Sequence, residues 1–130
     1  MSTIPNELRY TEEHEYVKPT ADRGVVQIGI TDYAQGELGD VVYVELHKPG
    51  AAFAKHQVFG TIEAVKAVSE LFCPVAGTVV EANGALEGDP ALVNRDPYGG
   101  GWMIKLKPQN STDANGLLDA AGYAKHIGGK

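Results

Sequence analysis

The sequence predicts a mainly β fold with short helices. The 130-residue chain has 16 glycines and 7 prolines, which are spread along its length and separate short apolar runs. Punctuation of this kind indicates turns between short strands rather than one flexible linker. Hydrophobic residues make up 43% of the chain, which is enough apolar surface for a packed core. Because a typical domain has roughly 100–150 residues, we expect a single domain over residues 1–130.

The strands are predicted from short β-branched or aromatic runs bounded by turn residues. Two such runs, His14–Lys18 and Gly24–Ile30, flank a turn-like segment and predict a hairpin. Four further strands are predicted along the chain, at Val41–Leu46, Gln57–Ile62, Thr78–Ala82 and Trp102–Lys107. A faint similarity between the two halves of the chain suits a small flattened barrel or sandwich, in which each half covers the apolar face of the other.

Two short helical segments are predicted between these strands. The Thr31 hydroxyl can accept a hydrogen bond from a free backbone amide, so Thr31 predicts the start of a helix that runs to Leu38. Gly39 tolerates a left-handed exit and predicts the end of that helix. Pro90–Val93 predicts a single helical turn.

A C-terminal helix is predicted over residues 113–126, packed on the sheet. Thr112 or Asp113 is available as its N-cap. Apolar residues recur there at helical spacing, at Leu117, Leu118, Ala121 and Ala124.

The segment 61–73 allows two interpretations. It contains neither glycine nor proline, and apolar residues recur at helical spacing, so local propensity favours a helix. However, Gly60 and Pro74 flank it, and Lys66 lies near its middle among small or apolar neighbours, which favours a hairpin folded at Lys66. In the hairpin the lysine amine projects into solvent. An exposed lysine is a poor nucleophile at pH 7 but can be acylated by an enzyme that presents an activated acyl group; more often it simply solvates a surface.

Composition excludes several classes of function. The net charge of -6 makes nucleic acids and anionic membranes poor partners. Cys73 is the only cysteine, so the chain forms no internal disulfide and we expect a reducing compartment. The acidic N-terminal segment lacks an apolar core, which excludes a signal peptide. We therefore expect a bacterial cytoplasmic protein, or a mitochondrial-matrix protein if the chain is a processed organellar form.

The histidines and the cysteine give no pattern typical of a metal or hydrolase site. The spacings of the four histidines do not place two ligands on one face of a short element, so no metal is expected. They are His14, His47, His56 and His126. Cys73 precedes Pro74 at a predicted strand end, which favours a packed thiol over a nucleophile.

Several motifs resemble the H protein family of the glycine cleavage system, whose members carry lipoate. Glu63-Ala64-Val65-Lys66-Ala67 is similar to the family's Glu-Ser-Val-Lys-Ala lipoylation segment, and residues 73–83 are similar to its Ser-Pro-x-Ser-Gly-x-Val-x-Glu-x-Asn continuation. Stretches upstream and downstream also match in family order: His14-Glu15-Tyr16-Val17, Gly29 to Gln35, Leu38-Gly39-Asp40, Pro90 to Asn94, Asp96-Pro97-Tyr98 and Gly101-Trp102. The similarity extends from about Leu8 to Tyr123.

The resemblance implies a lipoyl-domain-like barrel-sandwich hybrid with a C-terminal helix, the lipoyl-like core covering about 24–107. It also implies that Lys66 lies at a hairpin tip and carries lipoate as an amide, with Glu63, Val65 and Ala67 as recognition residues for a lipoate ligase or octanoyl transferase. Ala64 stands where the family has serine, which could weaken that recognition.

The resemblance further implies the function of a shuttle rather than an enzyme. Lipoyl-Lys66 would carry the aminomethyl group of glycine from the P protein, a pyridoxal-phosphate-dependent decarboxylase, to the T protein, a tetrahydrofolate-dependent aminomethyltransferase. The L protein, dihydrolipoamide dehydrogenase, would then reoxidise the arm. We expect a monomer.

A protective cleft is implied as well, because the aminomethyl group would be hydrolysed if water reached it freely. The positions that match the family's cleft are Glu13, Glu15, Tyr33 and Glu70, and a carboxylate such as Glu15 would favour the cationic amine. Tyr33 replaces a histidine found in some members and Glu70 replaces the usual aspartate.

Three other functions stay open from the sequence. A biotin module favours methionine on both sides of its lysine, and Val65 and Ala67 speak against it. A relay that passes lipoyl groups to other acyltransferase complexes would use the same Lys66. A Cys73 thiol hydrolase would be active without modification of the lysine.

Overall fold

The computed structural model describes residues 3–21, 24–110 and 113–128, and it is built mainly from β-strands. The strands are β1 Arg9–Tyr10, β2 Glu15–Pro19, β3 Val26–Ile30, β4 Val41–Leu46, β5 Ala52–Phe53, β6 Val58–Ala64, β7 Val68–Phe72, β8 Gly77–Ala82 and β9 Ile104–Pro108. The helices are α1 Asp32–Leu38, α2 Ala85–Gly88, α3 Leu92–Arg95 and α4 Ala120–His126, with a 3-10 turn at Asp113–Gly116.

The strands form two antiparallel sheets. One has six strands in the order β1-β2-β3-β9-β8-β5, and the other has three in the order β4-β6-β7. Strand β3 pairs with β9, so the two halves of the chain are interleaved within the larger sheet rather than stacked as separate units. The mainly β class with short helices is confirmed, and the described strands form two open sheets rather than a closed barrel.

The main core lies where the two sheets face each other. Val17 and Ile28 of the larger sheet belong to the same buried cluster as Val44 and Ile62 of the smaller one. Burying such side chains fully contributes about 1.5–3 kcal/mol each, so this shared core is the main force that holds the sheets together. A second cluster joins α4 to the outer strands of the larger sheet, with Leu8, Tyr10, Tyr16, Ala120, Tyr123 and Ile127 as its buried members.

Helix α1 forms as its caps predict. The Thr31 hydroxyl accepts a hydrogen bond from the Ala34 N–H at 3.2 Å, and Gly39 ends the helix with φ 78°. This positive φ lies in the left-handed region, where glycine avoids the steric penalty that a Cβ would meet. The sequence therefore fixes both ends of the helix.

The segment 61–73 is a hairpin rather than a helix. Strands β6 and β7 pair from Val58↔Phe72 to Glu63↔Val68, and the Ala64 N–H donates to the Ala67 carbonyl across the turn at 2.9 Å. Strand β6 also pairs with β4 on its other side. Pairing on both edges together with core burial outweighs the helical propensity of this segment.

The C-terminal helix predicted over 113–126 is shorter than expected. Helix α4 begins at Ala120, and the Asp119 carboxylate caps it by accepting from the Gly122 N–H at 2.8 Å. Leu118 is not helical, because its N–H and carbonyl form a two-way bridge with Tyr10 at 3.0 and 2.8 Å. Asp113 therefore caps no α-helix, and the alternative cap, Thr112, lies outside the described residues.

Two other boundaries differ from those predicted. The helical turn expected at Pro90–Val93 is α3, which starts two residues later at Leu92. The strand expected from Trp102 begins at Ile104, since the Trp102 N–H donates to Gly99 within the preceding turn at 3.2 Å.

We expect Gly101→Ala to destabilise the fold by roughly 2–4 kcal/mol, because overpacking against rigid atoms forces the backbone to shift. A Cβ at Gly101 would lie 2.6 Å from the Leu92 carbonyl oxygen and 2.8 Å from that of Asp96. Urea unfolding measures the loss. Gly36→Ala is the matched control: nothing lies within 4 Å of its added methyl group, and it should stabilise α1 by about 0.5–1 kcal/mol. Equal stabilities of the two variants would contradict the prediction.

Candidate functional site

Lys66 lies at the exposed tip of the β6–β7 hairpin, and the connection from α1 to β4 braces this tip. The Lys66 N–H donates to the Leu38 carbonyl at 3.1 Å, and the Val65 N–H donates to the Asp40 carbonyl at 2.9 Å. These two bonds join segments that lie more than 20 residues apart in sequence. The backbone at the tip is therefore held, while the lysine side chain stays accessible.

Gly39 supports the lysine side chain as well as ending α1. A Cβ built on Gly39 would lie 3.3 Å from Cγ of Lys66 and 3.5 Å from its Cδ. The aliphatic stem of Lys66 therefore runs over the bare glycine backbone. The sequence predicted the helix end at Gly39 but carried no signal for this contact, which depends on the approach of two distant segments.

A groove of about 210 Å³ lies beside the hairpin. Leu38, whose carbonyl holds the lysine backbone, is part of its wall, so the groove begins next to the hairpin tip. Its other lining residues come from the β1–β2 turn, β2, β3, α1 and the β6–β7 hairpin. They are Glu13, His14, Glu15, Ile30, Tyr33, Ala34, Glu37, Ile62, Ser69, Glu70 and Leu71. All four residues assigned to a cleft from the sequence, Glu13, Glu15, Tyr33 and Glu70, are among them.

Glu15 is the buried carboxyl of the groove, with 1% of its surface exposed. Its Oε1 accepts from the Thr11 hydroxyl at 2.7 Å, and its Oε2 accepts from the Phe72 N–H at 3.3 Å. Burial raises the pKa of Glu15 from 4.5 to about 8, although both hydrogen bonds favour the ionised form. At neutral pH this carboxyl is therefore mostly protonated, and the negative charge of the groove comes from other residues.

That charge comes from three exposed carboxylates, Glu13, Glu37 and Glu70. The residues that line the groove include no lysine or arginine. Apolar side chains such as Ile30 and Leu71 also line the groove. An acidic rim over apolar walls favours a ligand with an apolar body and a positive charge.

Glu37 and His14 are groove residues that the sequence analysis did not identify. Glu37 lies four residues after Tyr33 on α1, and the Tyr33 hydroxyl donates to its Oε1 at 3.2 Å. This i,i+4 spacing was a signal that could have found Glu37. From the sequence, His14 was considered only as a metal ligand, and its spacing gave no signal that it lines the groove.

His14 occupies an unusual backbone position, with φ 76°. Its Nδ1 lies 2.8 Å from the Tyr123 hydroxyl, and its ring centre lies 5.1 Å from that of Tyr33. Burial, followed by the charge of His126, lowers the pKa of His14. A neutral imidazole adds no positive charge to the groove at neutral pH.

The expected recognition residues Glu63, Val65 and Ala67 are all exposed around Lys66. Cys73, in contrast, is fully buried and its thiol donates to the Val75 carbonyl at 3.1 Å. Burial raises the pKa of this thiol to about 11, so it holds its proton and is a poor nucleophile. The thiol-hydrolase alternative has no support in this geometry.

Searches over the described residues give two negative findings. No group of three or more histidine, cysteine, aspartate or glutamate side chains there is arranged to hold a metal ion. None of the helices in this part of the chain has the length and apolar character needed to span a bilayer.

Together, the two sheets, the braced lysine and the adjoining acidic groove define a module that presents one lysine beside a ligand-sized cleft. The family model for the glycine cleavage H-protein matches residues 8–129. A glycine cleavage system H protein from Chromobacterium violaceum is 55% identical over 128 residues, covering 98% of this chain and 99% of that protein. One from Bacteroides fragilis is 55% identical over 120 residues, covering 92% and 94%.

A solved structure shows the same fold. The crystal structure of a glycine cleavage system H protein from Mycobacterium marinum superposes with a TM-score of 0.86 at 36% identity, covering 96% of this chain and 99% of that one. The chain belongs to the glycine cleavage H-protein family. Its membership confirms the carrier function expected from the sequence, that of a component of a multienzyme system rather than a catalyst.

Proposed function

We propose that Lys66 carries lipoate in amide linkage and that the chain shuttles the aminomethyl group of glycine between enzymes. The P protein (glycine decarboxylase) loads it, the T protein (aminomethyltransferase) unloads it, and the L protein (dihydrolipoamide dehydrogenase) reoxidises it. The observation that carries this proposal is the placement of Lys66 at a braced hairpin tip next to an acidic groove, within an H-protein family member.

The residues around Lys66 fit a lipoyl group. The side chain is exposed, so an enzyme can reach its amine, while the bonds to Leu38 and Asp40 fix the backbone from which an arm would swing. The groove that starts at Leu38 has apolar walls for a hydrocarbon arm. When attached, lipoate supplies a disulfide that accepts the aminomethyl group and is regenerated by oxidation.

The groove would protect the cargo in its loaded position. The carboxylates of Glu13 and Glu70 would attract the cationic amine, and the apolar walls would limit the access of water. Glu15 lies deepest among the acidic groups and its hydrogen bonds to Thr11 and Phe72 hold it in place. Tyr33, held by Glu37, would close the α1 side of the groove.

Loading of the lysine requires an enzyme, either a lipoate ligase or an octanoyl transferase. Glu63, Val65 and Ala67 are exposed beside Lys66 and would form the sequence that such an enzyme recognises. We further propose that the chain acts as one domain and as a monomer. The matching proteins from Chromobacterium violaceum and Bacteroides fragilis support a location in a bacterial cytoplasm.

Intact-mass analysis tests the attachment. The unmodified protein is incubated with lipoate ligase, ATP and lipoate, and we expect one added lipoyl group, which peptide mapping locates on Lys66. A second lipoyl domain serves as a control acceptor. A control that is loaded while this protein gains no mass, or gains it at another lysine, would overturn the proposal.

A further inference from the structure

Exposed apolar side chains are concentrated around the lysine hairpin. In the described part of the chain, four of the five large hydrophobic residues with substantial exposure lie on β4 or in the β6–β7 hairpin: Val42, Tyr43, Val65 and Val68. Val65 and Val68 are 71% and 69% exposed, more than any of the others. The fifth, Val80, lies on β8 of the larger sheet. Exposed apolar residues concentrated in one region of the surface are typical of an interaction site.

Strand register places two of these residues in one row on the outer face of the smaller sheet. Tyr43 pairs with Glu63, and Glu63 pairs with Val68. Paired residues in neighbouring strands point to the same side, so Tyr43 and Val68 flank Glu63. The adjoining row, Val44, Ile62 and Ser69, faces inward toward the core and the groove. The outer row thus faces away from the core, although Glu70, two residues after Val68 on the same side of β7, also lines the groove and joins the two surfaces.

The same surface has one sign of charge. Strands β4, β6 and β7 contain the three exposed glutamates Glu45, Glu63 and Glu70 and no lysine or arginine. Glu63 thus lies between Tyr43 and Val68, and Glu45 and Glu70 occupy the next row on the same side. Lys66 is the one basic side chain in the connected hairpin. A complementary surface has an apolar pocket with a basic rim.

The reach of the lysine decides which partner fits. The distance between the amine of an unmodified lysine and the backbone is limited by the length of the side chain. Part of the Lys66 side chain also lies over Gly39. An enzyme that acylates this amine must bring its reacting carbon to the hairpin itself and must cover the surrounding face. Enzymes that act on a long attached arm have no such requirement.

We propose that Tyr43 and Val68, flanking Glu63, form the docking surface for the enzyme that acylates Lys66, and that this enzyme presents an apolar pocket with a basic rim. The inference rests on the proposed function and extends recognition beyond the segment 63–67 to the neighbouring strand β4.

In the acylation step the deprotonated amine attacks the carbonyl carbon of an acyl-adenylate. A C–N bond forms, the C–O bond to the phosphate breaks, AMP leaves, and the nitrogen loses one proton to solvent.

The test measures KM and kcat for this protein as the acceptor of lipoate ligase, with ATP and lipoate at saturation and intact mass as the readout. The variants are Tyr43→Thr, Val68→Thr and the two combined, since threonine keeps a strand-forming side chain. The matched control is Val80→Thr, which changes an exposed valine of the opposite sheet. We expect KM of the combined variant to rise about 10-fold, with kcat within about twofold of the wild type and the control unchanged.

Each outcome bears on one claim. Wild-type protein that accepts no lipoate would overturn the proposed function. If the wild type accepts lipoate with the same KM as the combined variant, the docking surface alone is overturned. An equal rise of KM in Val80→Thr would overturn it as well. A KM that stays constant between low and high salt would overturn the basic rim, because screening weakens attraction between exposed charges. Unchanged melting temperatures of all variants establish that KM reports docking rather than unfolding.

Discussion

Lys66→Arg is expected to abolish turnover of glycine in a system reconstituted from the P, T and L proteins. Arginine keeps the positive charge and a long aliphatic stem that can lie over Gly39, so the hairpin should fold as before. Its guanidinium stays protonated and cannot be converted to the lipoyl amide under these conditions. The measurement is glycine-dependent formation of NADH after incubation with the lipoylating enzyme, and the expected rate equals that of a reaction without H protein.

Lys107→Arg is the matched control for this experiment. Lys107 is exposed on β9, away from the hairpin, and its variant should support the wild-type rate. Turnover by Lys66→Arg above the background rate would contradict the assignment of Lys66. Circular dichroism and urea unfolding of both variants show whether a loss of activity reflects the amine or the fold.

The hairpin that carries Lys66 shows why local sequence rules alone do not predict this fold. Spacing of apolar residues over 61–73 fits a helix, and nothing within the segment excludes it. The strand is selected by contacts that lie far away in sequence: pairing of β6 with β4, and the bonds from Val65 to Asp40 and from Lys66 to Leu38. The resemblance to a family, which includes such contacts implicitly, led to the correct hairpin.

The C-terminal helix was misplaced for a similar reason. Leu117 and Leu118 extend the helical spacing of Ala121 and Ala124, so the pattern alone starts the helix too early. In the structure Leu118 bridges to Tyr10, an edge contact that periodicity does not reveal. In contrast, α1 was predicted correctly because its start and end depend on Thr31 and Gly39, which act locally.

For the candidate groove, too, the sequence predicted some properties and missed others. Its four predicted residues came from the family resemblance and converge as expected, but the raised pKa of Glu15 depends on burial and could not be read from the sequence. Glu15 and Glu13 are two residues apart, yet Glu15 is buried while Glu13 is exposed. Oε1 of Glu13 lies 3.3 Å from Nδ1 of His56. Neighbouring glutamates therefore lie in different environments, and only the fold decides which of them is buried.

The raised pKa of Glu15 has a consequence for ligand binding. A cation placed beside this carboxyl would favour its ionised form and lower its pKa again. Docking of the amine proposed as cargo would therefore release a proton from Glu15 near pH 7. Burial of Glu15 costs least free energy when the carboxyl is protonated, whereas its attraction for a cation is strongest when it is ionised.

Glu15→Gln is expected to remove a large pH dependence of stability. The pKa is about 8 in the folded state and near the ordinary value of 4.5 when unfolded, so the folded state binds more protons between these values. The contribution of Glu15 to the free energy of unfolding of the wild type therefore falls as pH rises from about 4.5 to 8 and levels off above it. A shift of this size corresponds to at most about 5 kcal/mol, and glutamine, which cannot ionise, lacks this contribution.

Urea unfolding of the wild type and Glu15→Gln at pH 5, 6, 7 and 8 measures the effect. The difference in unfolding free energy between variant and wild type should shift in favour of the variant at each step, whereas contributions from His14 and other shared groups cancel. Glu12→Gln, which changes an exposed neighbour, should follow the wild type across the same range. Parallel curves for wild type and Glu15→Gln would mean that folding does not raise the pKa of Glu15 and that this carboxyl is already ionised in the folded protein at neutral pH.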